Sequence, residues 1–150
     1  KIPNRLHFAM VCQHIIQVAK RGNKPLSLVF FDIDHFKDVN DHHGHLVGDV
    51  VLKQIAALVS QRIRRSDIVA RWGGEEFVLL LPDTDLEESL KVAEMLRSVI
   101  DKKVFEHVGN ITCSFGVAQL EEDEDGEHLL NRADGLLYES KMNGRNRVTF

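Results

Sequence analysis

The chain has 150 residues, of which 43% are hydrophobic and 28% charged, the size and make-up of one globular domain. Its 19 Lys and Arg against 23 Asp and Glu give a net charge of −4. Because binding a long nucleic-acid backbone needs a net basic face, this balance argues against nucleic acid as a partner. The longest stretch without a formal charge, Leu6 to Ala19, is too short to span a bilayer, so we expect no membrane contact by this domain.

The two cysteines, Cys12 and Cys113, lie in apolar sequence surroundings and form no metal-type cluster. We expect both to be buried free thiols in a reducing compartment, which predicts a cytoplasmic domain. The chain begins Lys-Ile-Pro-Asn, without Met, and it has no signal-peptide pattern. We therefore expect residues 1–150 to be a single domain of a longer protein, whose sensory, regulatory or membrane-anchored part would lie upstream.

The first half of the chain predicts two helices around a buried strand. Apolar residues recur at helical spacing from Leu6 to Lys20, and Gly22 ends this helix. The run Leu26 to Asp34 (LSLVFFDID) is short, apolar and aromatic, which indicates a buried strand. After a polar segment from Lys37 to Gly48, apolar spacing predicts a helix from Val47 to about Arg64.

A hairpin and a third helix follow. Asp67 to Trp72 and Glu76 to Leu81 are short strand patterns joined at Gly73-Gly74, a turn signal. Thr84, followed three residues later by Glu87, predicts a capping box at the start of the next helix. That helix would direct its regularly spaced apolar residues towards the core.

The last third of the chain predicts two strands and one helix. Ile111 to Gln119 is a strand pattern, His128 to Met142 is a helix pattern with Gly144 just after its end, and Arg147 to Phe150 is a final strand. Alternation of helices and strands around one hairpin predicts an α/β (α+β) fold. Its mixed central sheet would have about five strands flanked by helices.

Two pairs of carboxylates are candidates for metal chemistry. Asp32 and Asp34 lie on one face at the end of an apolar strand, where a carboxylate is a suitable Mg²⁺ ligand. One of them could instead cap the next helix, and for Asp34 alone we favour the cap. Glu75 and Glu76 follow the glycine turn, which suggests a cation between the hairpin tip and the Asp32 strand. A surface hairpin with solvated glutamates is an equally good interpretation of that pair.

The segment Arg71 to Phe77 (RWGGEEF) resembles the signature of the GGDEF family, the diguanylate cyclases, in its GGEEF form. Further matches follow the family order along essentially the whole chain, and they are Asn4-Arg5, Asp32-Ile33-Asp34-His35-Phe36-Lys37, Asn40-Asp41, Gly44-His45, Gly48-Asp49, Ser114-Phe115-Gly116-Val117, Ala133-Asp134 and Lys141-Met142-Asn143-Gly144-Arg145-Asn146. An isolated GGEEF would be a weak signal, but this ordered set is specific.

The resemblance implies a palm-like fold, as in class III nucleotide cyclases. It also implies condensation of two GTP into cyclic di-GMP and two pyrophosphates. Asp32, the Ile33 carbonyl and Glu75 match the family's metal-binding positions, which would hold two Mg²⁺ ions, with Mn²⁺ as an alternative. Asp32 and Glu75 are thus the implied catalytic residues, and Glu75 also matches the residue proposed to take the proton of the attacking hydroxyl.

The resemblance assigns the GTP phosphates to residues from three parts of the chain. Phe36 and Lys37 would bind them at the start of a short helix, through backbone N–H groups and the ammonium. Gly74 would lie where a side chain could not fit against the nucleotide. Lys141 and Arg145 match the family's second phosphate-binding pair, and they also suit the negative end of a helix dipole.

Two further pairs of residues match binding positions for guanine. Asn40 and Asp49 match the pair that recognises the GTP base, although a helix N-cap is an alternative for Asp49. Arg64 and Asp67 form an R-x-x-D motif just upstream of the hairpin, where many family members bind their own product as an inhibitor. Met95 occupies the position where a second arginine often helps, which weakens the expectation of full product inhibition.

A product with two-fold symmetry made from two GTP molecules implies a homodimer during catalysis. Two other functions remain open at this point. A non-catalytic receptor for GTP or cyclic di-GMP would usually lack signature residues that are present here. A template-directed polymerase palm shares the two-carboxylate chemistry, but it would need further domains and a basic track that a net charge of −4 does not offer.

Overall fold

The structure is a computed structural model that describes residues 4–150. Its elements, in chain order, are α1 (Arg5–Gly22), β1 (Leu26–Ile33), α2 (Phe36–His43), α3 (His45–Ser60), β2 (Ile68–Gly73), β3 (Glu76–Pro82), α4 (Leu86–Lys102), β4 (Val104–Phe105), β5 (Gly109–Asn110), β6 (Cys113–Gln119), α5 (Gly126–Met142) and β7 (Val148–Thr149).

Five of the strands form one mixed sheet in the order β2-β3-β1-β6-β7. The pairs β2–β3, β3–β1 and β1–β6 are antiparallel, and β6–β7 is parallel. The predicted α/β fold with a mixed sheet of about five strands is therefore confirmed. The separate hairpin β4–β5 was not predicted, because strands of two residues leave no periodic pattern in the sequence.

The central strand β1 is buried along its whole length, as its apolar run predicts. Its side chains alternate between two cores, one against α3 and α4 and the other against α1 and α5. In the first core, the Phe31 ring stacks between those of Phe77 and Phe115, with ring centroids 5.2 and 4.9 Å away. Helices thus cover both faces of the sheet and hold the end of β1 in a fixed place.

Helix α5 lies unusually close to the sheet at Gly116 on β6. A Cβ atom at this position would be 2.2 Å from the Ala133 carbonyl oxygen and 2.4 Å from the Leu137 amide nitrogen. Only glycine fits such an approach of two backbones. The contact fixes the position of α5, and with it that of Lys141 at the end of the helix.

Two of the predicted helix boundaries are wrong by a few residues. The capping box of α4 is formed by Asp85 and Glu88, one residue later than Thr84 and Glu87. Thr84 is buried instead, and its hydroxyl donates to the Pro82 carbonyl at 2.8 Å. Helix α3 ends at Ser60, so Arg64 lies in the following loop.

Other details agree with the sequence. Gly144 follows the C-cap residue of α5 with φ of 118°, which confirms the glycine predicted after this helix. Cys12 and Cys113 are both buried free thiols, also as predicted. Among residues 4–150, the structure has no helix with the length and apolarity needed to cross a membrane.

Candidate active site

The end of β1 and the tip of the β2–β3 hairpin meet at one edge of the sheet. Asp32 pairs with Glu76 on β3 and with Ser114 on β6, and the Ile33 amide donates to the Glu75 carbonyl at 3.3 Å. Antiparallel pairing of β1 with β3 therefore brings the Gly-Gly-Glu-Glu turn beside Asp32. Glu75 is half-buried in this position, which does not suit the interpretation of a freely solvated surface hairpin.

Asp32 is a buried carboxylate, and the described residues provide a partner for only one of its two oxygens. Its side chain is 3% exposed, and Oδ2 forms an ion pair with the ammonium of Lys141. Its other oxygen, Oδ1, is buried and accepts no hydrogen bond from the described residues. Burial raises the pKa of Asp32 to about 6, Lys141 opposes this rise, and the nearby Asp34 and Glu75 add to it. A buried acceptor without a donor is costly, so this oxygen suits a cation or a hydrogen-bond donor from a ligand.

The carboxylates at this edge fit a divalent cation that also binds phosphate. The residues that the structure describes contain no group of three His, Cys, Asp or Glu side chains arranged as a complete metal site. Mg²⁺ does not need one, because it is commonly bound by one or two carboxylates together with substrate phosphate oxygens. Asp32, with its free oxygen, and the neighbouring Glu75 meet that requirement.

Asp34 has a different role from the one we predicted. Its carboxylate accepts hydrogen bonds from the Thr112 hydroxyl at 2.6 Å, the Ser114 hydroxyl at 2.6 Å and the Asn146 amide at 3.1 Å. The N-cap residue of α2 is His35, and its side chain makes no capping bond. The prediction that Asp34 caps the next helix is therefore wrong, because its donors come from Thr112 and the start of β6 and from the loop after α5.

The predicted phosphate-binding residues lie around the edge of the sheet where β1 ends. Phe36 and Lys37 begin α2, with the Phe36 side chain buried and Lys37 exposed. A Cβ atom on Gly74 would meet nothing within 4 Å, so the hairpin tip is open to a ligand. The ammonium of Lys141 forms an ion pair with Asp32, a contact that the sequence did not reveal. Arg145 is exposed, and its φ angle is 64°.

A second buried acceptor lies between α2 and α3. The side-chain oxygen of Asn40 is buried without a donor from the described residues. Gly48 on α3 makes room for it, since a Cβ atom there would be 2.0 Å from that oxygen. Asp49 is exposed within α3, whose N-cap residue is Gly44, so the alternative of Asp49 as a cap is wrong.

Arg64 and Asp67 lie together on the loop between α3 and β2. The guanidinium of Arg64 donates to Asp67 at 3.1 Å, to the Pro82 carbonyl at 2.8 Å and to the Thr84 hydroxyl at 2.6 Å. The Arg64 side chain is nevertheless 55% exposed, whereas that of Asp67 is buried. Met95 packs against the core, so it does not extend this pair with a polar group.

Residues 1–147 match the family model described as "Diguanylate cyclase, GGDEF domain". The chain belongs to the GGDEF family. Diguanylate cyclase A of Treponema denticola is 40% identical over 148 residues, and the match covers 95% of this chain and 40% of that protein. Diguanylate cyclase DgcP of Pseudomonas aeruginosa is 43% identical over 150 residues, covering 98% of this chain and 22% of that protein. The chain thus spans less than half the length of these two relatives.

Solved GGDEF structures agree with the fold throughout. The GGDEF domain of DgcB from Caulobacter crescentus, in complex with c-di-GMP, matches 99% of this chain and 90% of that chain with a TM-score of 0.94 and 34% identity. The active GGEEF domain of a diguanylate cyclase from Vibrio cholerae matches 99% of this chain and 97% of that chain with a TM-score of 0.94 and 36% identity. GGDEF diguanylate cyclases generally depend on a divalent metal ion.

Proposed function

We propose that this GGDEF domain is a diguanylate cyclase, which condenses two GTP molecules into cyclic di-GMP with release of two pyrophosphates. The observation that carries the proposal is the buried Asp32 carboxylate, which has one oxygen without a protein partner beside the Glu75 hairpin. The names of the relatives and the active GGEEF domain from Vibrio cholerae support it.

Asp32, Glu75 and the Ile33 carbonyl would hold Mg²⁺ in this cyclase. A metal held there would supply Lewis-acid chemistry, which stabilises negative charge on the phosphates and lowers the pKa of the attacking 3′-hydroxyl. Glu75, at the hairpin tip, accepts the proton of that hydroxyl.

The triphosphate is bound by residues that converge on the Asp32 edge. Backbone N–H groups of Phe36 and Lys37 at the start of α2 donate to phosphate oxygens, and the ammonium of Lys37 adds a positive charge. Gly74 lets the backbone approach the nucleotide without a side chain in the way. Lys141 and Arg145 complete the positive surroundings from the end of α5 and the loop after it.

Guanine recognition uses the acceptors of α2 and α3. The unpaired Asn40 oxygen and the Asp49 carboxylate can accept from the N1–H and N2–H₂ groups of guanine. Adenine lacks that pair of donors, because its N1 is an acceptor and it has no amino group at C2. The substrate is therefore GTP rather than ATP.

Catalysis takes place between two copies of the domain, each with one GTP bound. Two identical half-reactions are satisfied most simply by a two-fold symmetric pair, in which each 3′-hydroxyl faces the α-phosphate of the other nucleotide. The product can return to the Arg64–Asp67 pair, since an exposed guanidinium can donate to the O6 and N7 acceptors of guanine.

The proposal is tested by incubating the purified domain with GTP and Mg²⁺ over a series of protein concentrations. We expect cyclic di-GMP, measured by chromatography with mass detection, to rise faster than linearly with protein concentration. The variant Glu75→Gln should form no product, while Glu122→Gln, a change on an exposed loop, should behave as the wild type. GTP binding without turnover at any concentration would contradict the proposal and favour a non-catalytic receptor.

Product inhibition is tested separately with added cyclic di-GMP. We expect Arg64→Ala to need at least about tenfold more product for half-inhibition, because one bidentate guanine contact contributes about 1–3 kcal/mol. Arg65→Ala is the matched control, since Arg65 is a neighbouring exposed arginine outside the R-x-x-D pair. Equal inhibition curves for the two variants would rule out Arg64 as part of an inhibitory site.

A further inference from the structure

The loop after α5 is held in an uncommon backbone conformation. Three successive residues have positive φ angles, namely Gly144 at 118°, Arg145 at 64° and Asn146 at 46°. For residues other than glycine this region is disfavoured, and Asn tolerates it better than most. The loop begins at Asn143, two residues after Lys141 on α5, and it contains Arg145, so its conformation decides where Arg145 lies relative to Lys141.

Asn146 connects this loop to the end of β1. Its backbone amide donates to Asp34 at 3.1 Å, and Asp34 also accepts from the hydroxyls of Thr112, just before β6, and Ser114 on β6. The loop is therefore attached to the residue two positions after Asp32, on the same strand end. This attachment explains why a buried carboxylate is needed at Asp34 although Asp34 caps no helix.

The side chain of Asn146 connects the same loop to α4. Its oxygen accepts from the Arg97 guanidinium at 2.9 Å, and its amide group donates to Asp101 at 3.2 Å. Arg97 is kept in place by Glu94, one turn earlier on α4, and its side chain is only 20% exposed. Asn146 is thus fixed from two sides, by β1 through its backbone and by α4 through its amide.

We propose that Asn146 is a positioning residue for triphosphate binding. By holding the loop between Asp34 and α4, it sets the distance from Arg145 to Lys141 and Asp32, so that the two cations and the carboxylate can contact one triphosphate together. The inference rests on the proposed function for its ligand, GTP. It assigns Asn146 no contact with the nucleotide.

The test separates phosphate binding from base binding. Affinities for a GTP analogue with a non-cleavable α,β-methylene bridge and for guanosine are measured by calorimetry in the presence of Mg²⁺. Asn146→Gly keeps the left-handed backbone and the amide bond to Asp34 but loses both bonds to α4. Asn143→Gly is the matched control, because Asn143 is an exposed residue of the same loop whose φ of −93° needs no glycine.

We expect Asn146→Gly to bind the analogue about tenfold more weakly than the wild type does, since hydrogen bonds to charged groups are lost. Its affinity for guanosine should stay within about twofold. Asn143→Gly should match the wild type for both ligands. Asn146→Ala, which also disfavours the left-handed backbone, should lose more affinity for the analogue. If it does not fold, Asn146→Gly still provides the comparison.

Two results would overturn the inference. One is unchanged analogue affinity in Asn146→Gly, and the other is an equal loss for analogue and guanosine, which would indicate a general structural role. If the wild-type domain makes no cyclic di-GMP but Asn146→Gly still shows the selective loss of analogue affinity, the cyclase proposal is overturned and the positioning role stands. The two failures are therefore distinguishable.

Discussion

Asp32 and Asp34 are two residues apart at the end of the central strand, and both are buried, but the protein satisfies them to different degrees. Asp34 accepts hydrogen bonds from two hydroxyls and one backbone amide. Asp32 has one ion pair with Lys141, and its other oxygen has no donor among the described residues. Asn40 resembles Asp32 in this respect, since its side-chain oxygen is also buried and unpaired.

This difference in hydrogen bonding indicates that Asp34 has a structural role, whereas Asp32 keeps one oxygen that a ligand can bind. Folding recovers the cost of burying a polar group only when its hydrogen bonds are made. Asp34 makes them and so holds β1, β6 and the loop after α5 together. The unpaired oxygens of Asp32 and Asn40 leave that cost unrecovered until a ligand binds, which supports their place at the two ends of the proposed GTP site. The side-chain oxygen of Gln54 on α3 is also buried without a donor from the described residues, but it matches none of the proposed GTP-binding positions.

The largest expected effect tests Asp32 as a functional group. We expect Asp32→Asn to lower cyclic di-GMP formation by at least about 100-fold, because losing a metal-binding charge costs several kcal/mol of transition-state stabilisation. Turnover is measured by mass detection against Asp123→Asn, which changes an exposed loop carboxylate. Activity within tenfold of the wild type would mean that Asp32 is not part of the catalytic site.

The second prediction tests Asp34 as a structural group. Asp34→Asn should lower the free energy of unfolding by about 1–3 kcal/mol, because the half-buried Thr112 hydroxyl and the buried Ser114 hydroxyl lose a carboxylate acceptor. Asp32→Asn should cost less, since Lys141 is one-third exposed and water can solvate its ammonium. Urea denaturation of the two variants measures the difference. Equal losses would remove the distinction between the two carboxylates.

The third prediction tests Asn40, whose side-chain oxygen is also buried without a donor from the described residues. Gly48→Ala would place a methyl group 2.0 Å from the Asn40 oxygen and so displace it. We expect guanosine to bind about tenfold more weakly, a loss of about 1.4 kcal/mol. The control is Gly135→Ala on α5, where a Cβ atom meets nothing and alanine favours the helix. Unchanged guanosine affinity in Gly48→Ala would exclude Asn40 from base recognition.

The smallest expected effect is thermal stabilisation by a divalent cation. At about ten times its dissociation constant, Mg²⁺ adds about 1.4 kcal/mol of stability, which raises the Tm of a domain of this size by a few degrees. Asp32→Asn should abolish the rise, whereas Asp34→Asn should keep it from a lower starting Tm. A rise that survives Asp32→Asn would place the cation elsewhere.

Much of the fold follows from residues whose pattern is local. The apolar run of β1, the Gly-Gly turn of the hairpin and the helical spacing of α5 each specify one element, and the structure has all three. Boundaries were less certain where two candidate residues stand side by side. Asp85 rather than Thr84 caps α4 because Thr84 is buried, where its carbonyl accepts from the Ser27 hydroxyl and its own hydroxyl accepts from Arg64. Only these long-range contacts decide between the two residues.

The site was predictable as a set of residues but not as a set of contacts. The family motif named Asp32, Glu75 and Lys141, whereas the ion pair between Asp32 and Lys141 depends on how α5 packs on the sheet. The partners of Asp34 come from residues about 80 and 112 positions later in the chain. Hydrogen bonds over such separations leave no periodic pattern in a single sequence. The sequence therefore favoured a helix cap for Asp34, a role that needs only neighbouring residues.

The glycine at position 116 has a consequence for how this site can vary. Since a Cβ atom there would be 2.2 Å from the backbone of α5, the helix rests on the strand with no side chain between them. Any larger residue would act as a spacer and lift the whole helix. The ammonium of Lys141, at the far end of α5, would then be withdrawn from Asp32. The absence of a side chain at this one position in the sheet thereby keeps Lys141 beside Asp32 at the edge where we propose that GTP binds.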